Sequence, residues 1–318
     1  MKLILMGTGP FAVPTLRRLH AGQHEIVQVV CRPPRGRRKE PPAPVRAAAE
    51  ELGLPLWMPE SANLPDSQQR LAEIGADLLV VCDYGEILKD ATLSTTRLGG
   101  VNLHGSLLPK YRGAAPVQWA VLKGDAETGA TVIQMTPGLD AGPILGKVTT
   151  PIDPDETAGE LEVRLADLGA ELTATVVDEL AAGTATAEPQ DKSQVSKAPR
   201  LDKACGQINW TRPADWIKNH VRGMHPWPRA FTFLSRSGGE PLRLSIDRVA
   251  VVDASEVGSN GSPGVVRIAD DRLFVTCGEN SALEILTLQP AGKRAMSAAD
   301  WLRGAPLRSG DAFTSNAS

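Results

Sequence analysis

At 318 residues the chain is longer than one hydrophobic core serves, and two domains are expected. With 42% apolar and 22% charged residues it has the composition of a packed globular protein, which excludes disordered and fibrous classes, and no stretch predicts a membrane span. The net charge of −3 divides unevenly: residues 197–318 carry 16 Lys+Arg against 12 Asp+Glu, leaving 18 against 25 for residues 1–196. The mildly basic second part is open to a nucleic-acid partner and equally to a plain solvated surface. Cys31, Cys82, Cys205 and Cys277 stand singly without any C-x-x-C, which argues against zinc sites and a disulfide framework and for a reducing cytoplasm.

In chain order, residues 2–6 predict a buried strand, since Gly7-Thr8-Gly9-Pro10 interrupts the apolar run too early for a secretory signal. Gly7, Gly9 and Ala12 match the G-x-G-x-x-G/A turn that brings backbone N–H groups to a pyrophosphate. Two readings stand: a nicotinamide site, in which Arg32 takes the place of the usual acid after the strand at 25–30, or a tight turn into a helix through Leu16 and Leu19. Residues 32–42 interleave basic side chains, among them Arg37, Arg38 and Lys39, with prolines and no apolar period, so they predict an exposed loop, solvated or gripping phosphate. A helix follows from Val45 through Leu52, stopped by Gly53. The unbroken apolar run at 77–82 predicts a strand buried on both faces of a parallel sheet, with Tyr84-Gly85-Glu86-Ile87-Leu88 leaving its end. Strands alternating with helices indicate a doubly wound α/β domain.

Residues 99–104 form the next strand, at whose carboxyl end open α/β sheets place their ligands. Asn102 and His104 are two apart and share a face, which sets an amide beside an imidazole. An amide can hold an oxygen that becomes negative and a neutral imidazole can take a proton, so the pair suits acyl chemistry; a turn at a strand end is the competing reading. Asp140, in the stiff glycine- and proline-rich loop at 136–143, is either a turn former or a third polar group of the same crevice. A long helix from Asp155 to about Ala182, with Leu161, Leu165, Leu168, Leu172, Val176 and Leu180 on one stripe, ends at Gly183 and closes a first domain of residues 1–183. Residues 184–206 read as a linker. In residues 207–310, a short helix at 213–224 and β-rich segments at 242–252, 264–269, 273–277 and 283–288 predict a small barrel, with a capping box at Ser297 and Asp300 opening a last helix. Residues 311–318 read as a polar tail.

Asn102 to Gln118 (NLHGSLLPKYRGAAPVQ), together with residues 7–12, 124–129, 138–140, 219–228 and 289–296, resembles the methionyl-tRNA formyltransferases within the folate-dependent formyltransferase family. The resemblance implies a Rossmann-like first domain that uses no nicotinamide and an OB-like β-barrel second domain. It implies formyl transfer from 10-formyltetrahydrofolate to the α-amine of methionine on initiator tRNA, with Asn102, His104 and Asp140 as the catalytic trio. Which of the three moves the proton stays open. Neither a metal nor a covalent enzyme intermediate is implied. Ser106, Leu107, Leu108 and Pro109 would line the folate pocket with Tyr84, Ile87 and Leu88, although Asp83 stands where the family has small or apolar residues. Arg37, Arg38 and Lys39 would contact the tRNA acceptor arm, with Lys293 and Arg294 adding contacts from the barrel. A cytoplasmic monomer is expected. The competing functions are formylation of another amine, such as a sugar nucleotide or glycinamide ribonucleotide, an NADP oxidoreductase, and a tRNA-binding module without catalysis.

Overall fold

The apolar runs nearest the start of the chain become the middle of the first sheet. In a computed structural model, which describes residues 1–34, 42–236, 240–254, 261–305, 307 and 311–315, strand β1 (Lys2–Gly7) lies between β2 (Glu25–Val30) and β4 (Leu78–Cys82), all parallel. The short β3 (Leu56–Trp57) extends the sheet beyond β2, and β5 (Gly100–His104) extends it parallel to β4 on the other side. Every residue of β4 is buried, as its unbroken apolar sequence requires. The turn after β1 leads into α1 (Val13–His20), and α2 (Pro44–Glu51) and α3 (Pro65–Ile74) follow β2 and β3. This is the alternating, Rossmann-like arrangement, with the strand order reversing between β1 and β4.

Two features depart from a wholly parallel sheet. Strand β7 (Glu127–Gln134) runs antiparallel to β5 and pairs in turn with an antiparallel edge strand, β8 (Ile144–Pro151), that the sequence patterning does not mark. Its three glycine, lysine and proline positions dilute the apolar alternation that would have marked it. The long helix α6 (Ala158–Ala182) starts three residues later than expected, where Thr157 and Glu160 close a capping box: Thr157 N donates to Glu160 Oε2 at 2.8 Å and Glu160 N to Thr157 Oγ1 at 3.3 Å. Gly169 lets this helix close on β5, since a Cβ there would lie 2.8 Å from Leu103 Cδ2.

The chain divides into two compact units, the first comprising residues 1–117, 127–151 and 161–199, the second residues 118–126, 152–160 and 200–318. Residues 184–206 are therefore not a free linker. They hold a bridge from Glu188 to Ile144, a 3₁₀ turn at Lys192–Gln194 and strand β9 (Lys197–Ala198), which pairs in parallel with β6 (Arg112–Gly113). Their polar composition concealed this, because the segment binds through backbone and side-chain hydrogen bonds rather than through an apolar face.

The second unit holds α7 (Ala214–Gly223) and an antiparallel sheet, β10 (Ala230–Ser235), β11 (Leu242–Val252), β12 (Val266–Ala269), β13 (Arg272–Thr276) and β14 (Ala282–Pro290), with the short β15 (Met296–Ser297) against β14. Helix α8 (Ala298–Gly304) opens on the expected cap, Asp300 N donating to Ser297 Oγ at 3.1 Å. The tail expectation is corrected: Ala312–Thr314 form strand β16, paired with β10, and Phe313 is only 2% exposed. Phe313 stacks on Trp210 at 5.5 Å between centroids, so one aromatic residue recruits a segment whose neighbours are polar. A bridge between Val265 and Ala312 brings the two ends of the strand path together and curls the sheet.

Candidate active site

The carboxyl end of β5 carries Asn102 and His104 on one face. Asn102 is half-buried and, among the described residues, has no protein hydrogen-bond partner at its side chain. His104 is buried and held at one nitrogen: Nε2 lies 2.9 Å from the Tyr111 carbonyl, while Nδ1 faces Asp140 Oδ2 at 3.8 Å, beyond hydrogen-bond reach. A carbonyl can only accept, so the hydrogen of the neutral ring sits on Nε2 and the lone pair of Nδ1 faces Asp140. The structure thus brings Asp140 to His104 although 36 residues separate them in sequence.

Asp140 holds the left-handed region at φ 47°, uncommon for a residue with a Cβ. Its Oδ2 accepts from Gly113 N at 2.9 Å, and its carbonyl accepts from Gln190 Nε2 at 2.8 Å. The segment 111–113 consequently holds both members of the pair, His104 through the Tyr111 carbonyl and Asp140 through the Gly113 N–H. That segment is itself anchored by residues 190–198: Tyr111 N donates to Ser196 Oγ at 2.8 Å, Arg112 N to the Ser196 carbonyl at 2.9 Å, and Ala114 N to the Ala198 carbonyl at 2.9 Å. Gln190 and Ser196 escaped sequence reasoning, because an isolated amide or hydroxyl in a polar stretch has no periodicity to mark it.

The turn after His104 is built around Thr131 on β7. Thr131 Oγ1 donates to the Ser106 carbonyl at 2.7 Å and accepts from Leu108 N at 3.1 Å, while Ser106 Oγ donates to the Lys110 carbonyl at 2.7 Å. Leu108 packs into the core with Ile133 and Ile144, which leaves Leu107 and Pro109 partly accessible. The loop after β4 behaves alike. Tyr84 and Leu88 are core residues beside Met6 and Leu79, whereas Ile87 is 62% exposed. Glu86 pins this loop, accepting from Arg32 Nη1 at 2.7 Å, Ala62 N and Asn63 Nδ2 at 3.1 Å, and the Ser61 hydroxyl. A lone acid inside an apolar pentapeptide was the available signal for such a buried cluster.

Asp83 occupies the glycine-rich turn. Thr8 N and Gly9 N donate to its carbonyl at 3.0 and 3.4 Å, and a Cβ on Gly9 would collide with its carboxylate. The residue keeps an exposed edge, yet the protein packed around its carboxyl, with Glu162 adding like charge, pushes it up to about 6. Two N–H groups of the glycine-rich turn are thereby engaged within the protein. Burial also pushes the Cys31 and Cys277 thiols up to about 12 and the Cys82 thiol well up, the opposite of an activated nucleophile.

In the second unit, Lys293 and Arg294 are exposed on the turn between β14 and β15, where Lys293 N donates to the Pro290 carbonyl at 3.0 Å and Gly292 takes φ 74°. Arg37, Arg38 and Lys39 lie outside the described residues. Among the described residues no helix is long and apolar enough to cross a membrane.

Comparison with known proteins decides the family. A family model described as formyl transferase matches residues 1–177, and one described as formyl transferase, C-terminal domain, matches residues 200–306. The chain is 46% identical over 329 aligned residues to the methionyl-tRNA formyltransferase of Rhodopirellula baltica, covering 98% of this chain and 96% of the relative. It is 45% identical over 314 residues to that of Parvibaculum lavamentivorans, covering 98% and 99%. The chain belongs to the methionyl-tRNA formyltransferase family. The fold of these formyltransferases recurs at low identity in an N-formyltransferase from Helicobacter canadensis, solved with folinic acid and dTDP-3-aminofucose, at TM-score 0.68 and 16% identity over 91% of this chain and 99% of that one. HypX from Aquifex aeolicus, in complex with tetrahydrofolic acid, matches at TM-score 0.59 and 15% identity over 95% of this chain and 46% of that one.

Proposed function

We propose that this chain transfers a formyl group from 10-formyltetrahydrofolate to the α-amine of methionine on initiator tRNA, with Asn102, His104 and Asp140 as the reacting-site residues. The observation that carries the assignment of roles is the His104–Asp140 pair at the end of β5, facing the same way as the open Asn102 amide. The amine forms a bond to the formyl carbon, and the carbonyl electron pair moves to oxygen. Asn102 Nδ2 donates to that oxygen. His104 Nδ1 takes the surplus amine proton, and Asp140 stabilises the imidazolium so formed at close range. When the bond from carbon to N10 breaks, that nitrogen leaves with the electron pair and His104 returns the proton to it, so the enzyme ends unchanged.

The accessible Ile87, Leu107 and Pro109 suit an apolar pterin wall, with Ser106, Tyr84, Leu88 and Leu108 setting the shape of the loops behind it. Engagement of the Thr8 and Gly9 N–H groups by Asp83 supports a site without nicotinamide. Arg37, Arg38, Lys39, Lys293 and Arg294 supply phosphate contacts to tRNA. The reading includes a monomer working in the cytoplasm, in keeping with four free cysteines, three of them buried. The test is formylation assayed with 10-formyltetrahydrofolate and charged initiator tRNA. Formylation of a sugar-nucleotide amine or glycinamide ribonucleotide, with none of Met-tRNA, overturns it.

A further inference from the structure

Asp140 is presented to His104 by a loop whose internal hydrogen bond, Ala141 N to the Gly138 carbonyl at 3.3 Å, leaves a gap at the Asp140 and Gly142 carbonyls. Gln190 spans that gap. Its Nε2 donates to the Asp140 carbonyl at 2.8 Å and to the Gly142 carbonyl at 2.7 Å, which clasps the loop from both sides of Ala141. Its Oε1 accepts from Arg112 Nη2 at 2.7 Å and Nε at 3.1 Å. Arg112 is flanked by Tyr111, whose carbonyl takes His104 Nε2, and by Gly113, whose N–H binds Asp140 Oδ2. One side-chain amide therefore ties the backbone bearing the acid to the segment that orients the imidazole.

We propose that Gln190 is a positioning residue for the His104–Asp140 pair, an inference that rests on the formyl-transfer reading of that pair. The residue type is what the place demands. Two carbonyl oxygens on one side need a donor with two hydrogens, and a guanidinium fork on the other needs an acceptor; a primary amide carries both on one rigid plane. A carboxylate would face the carbonyls with no donor, and an ammonium would face Arg112 with no acceptor. Asp140 sits at φ 47°, a conformation an L-residue holds only when its surroundings over-determine it, and the bond to its carbonyl does so directly.

Steady-state kinetics of the full-length enzyme with 10-formyltetrahydrofolate and charged initiator tRNA test this, on wild type, Gln190→Met, Gln190→Glu and Asp140→Asn. Gln190→Met keeps the length and removes every hydrogen bond. Its kcat is expected to fall about 10- to 100-fold, as for other groups that orient a reacting residue, with KM for both substrates changed less than about threefold. Gln190→Glu keeps the acceptor for Arg112 and is expected to show the same kcat loss with KM again little changed. If the Met variant fails to fold, the Glu variant decides on the same readouts. Wild-type kcat in a folded Gln190 variant, beside an inactive Asp140→Asn, overturns this inference alone. A fall in kcat with KM for both substrates raised in proportion also overturns it, since a general structural defect damages binding along with turnover. Wild-type kcat in Asp140→Asn instead removes the reading underneath.

Discussion

His104 is buried, with Nε2 bonded to the Tyr111 carbonyl and Nδ1 facing Asp140, so its ring orientation is set before any substrate arrives. Replacing it, or Asp140, by alanine is expected to lower kcat by about 10²–10⁴-fold while tRNA affinity in a filter-binding assay stays unchanged. Undiminished turnover in either variant takes that residue out of the trio. Asp83 has the opposite character, a carboxyl held where its charge is unwelcome. Its raised value means the folded protein binds more protons than the unfolded chain between about pH 4 and pH 6, so its contribution to stability is lost as pH rises through that window. Asp83→Asn, which also tolerates the φ of 47°, is expected to raise Tm at pH 7 and to match wild type below about pH 4. Its exposed edge damps the size of that gain through solvent screening; a lower Tm at pH 7 would contradict it. Asn102 and His104 were legible in sequence because strand periodicity alone puts them on one face. Asp140 was legible only as a polar residue in a stiff loop, for its pairing with His104 is a contact through space, and Gln190 had no local signature at all.

At the scale of elements, the two strands that sequence patterning missed most plainly, β8 and β16, are short of the apolar alternation that betrays a strand. β16 depends on Phe313, which fills the space beside Trp210, while Thr232 Oγ1 accepts from Trp210 Nε1 and donates to the Thr314 carbonyl, each at 2.9 Å. Phe313→Ala is expected to destabilise the protein by about 3 kcal/mol, read from the urea midpoint at constant m. A cost near zero would return residues 311–318 to the status of a dispensable tail. By contrast β4 and the helix ending at Gly183 announced themselves through an unbroken apolar run, a long leucine stripe and a glycine stop. Residues 188–198 did not, for they bind by backbone pairing and by the Gln190 amide, neither of which leaves a trace in hydropathy.

For the molecule as a whole, the proposed reading assigns catalysis and tRNA capture to different stretches of the chain. The trio lies in the first unit, whereas Lys293 and Arg294 stand exposed in the second and Arg37, Arg38 and Lys39 belong to the basic proline-rich stretch. Neutralising Arg37, Arg38 and Lys39 together is expected to weaken tRNA binding and to flatten its dependence on salt, with each lost phosphate contact lowering the slope by about one. An unchanged slope would leave those side chains as solvated surface.

The anchoring of Tyr111, Gly113 and Asp140 by residues that follow the long helix bears on the order in which the enzyme matures on the ribosome. A nascent chain that has emerged only to residue 183 already contains Asn102, His104 and Asp140, and every strand of the first sheet. It still lacks Gln190, Ser196 and Ala198, so its catalytic groups are synthesised well before they can be set in place. The setting of the His104–Asp140 pair is thus expected late in translation, when residues 190–198 clear the exit tunnel and pair with residues 111–114.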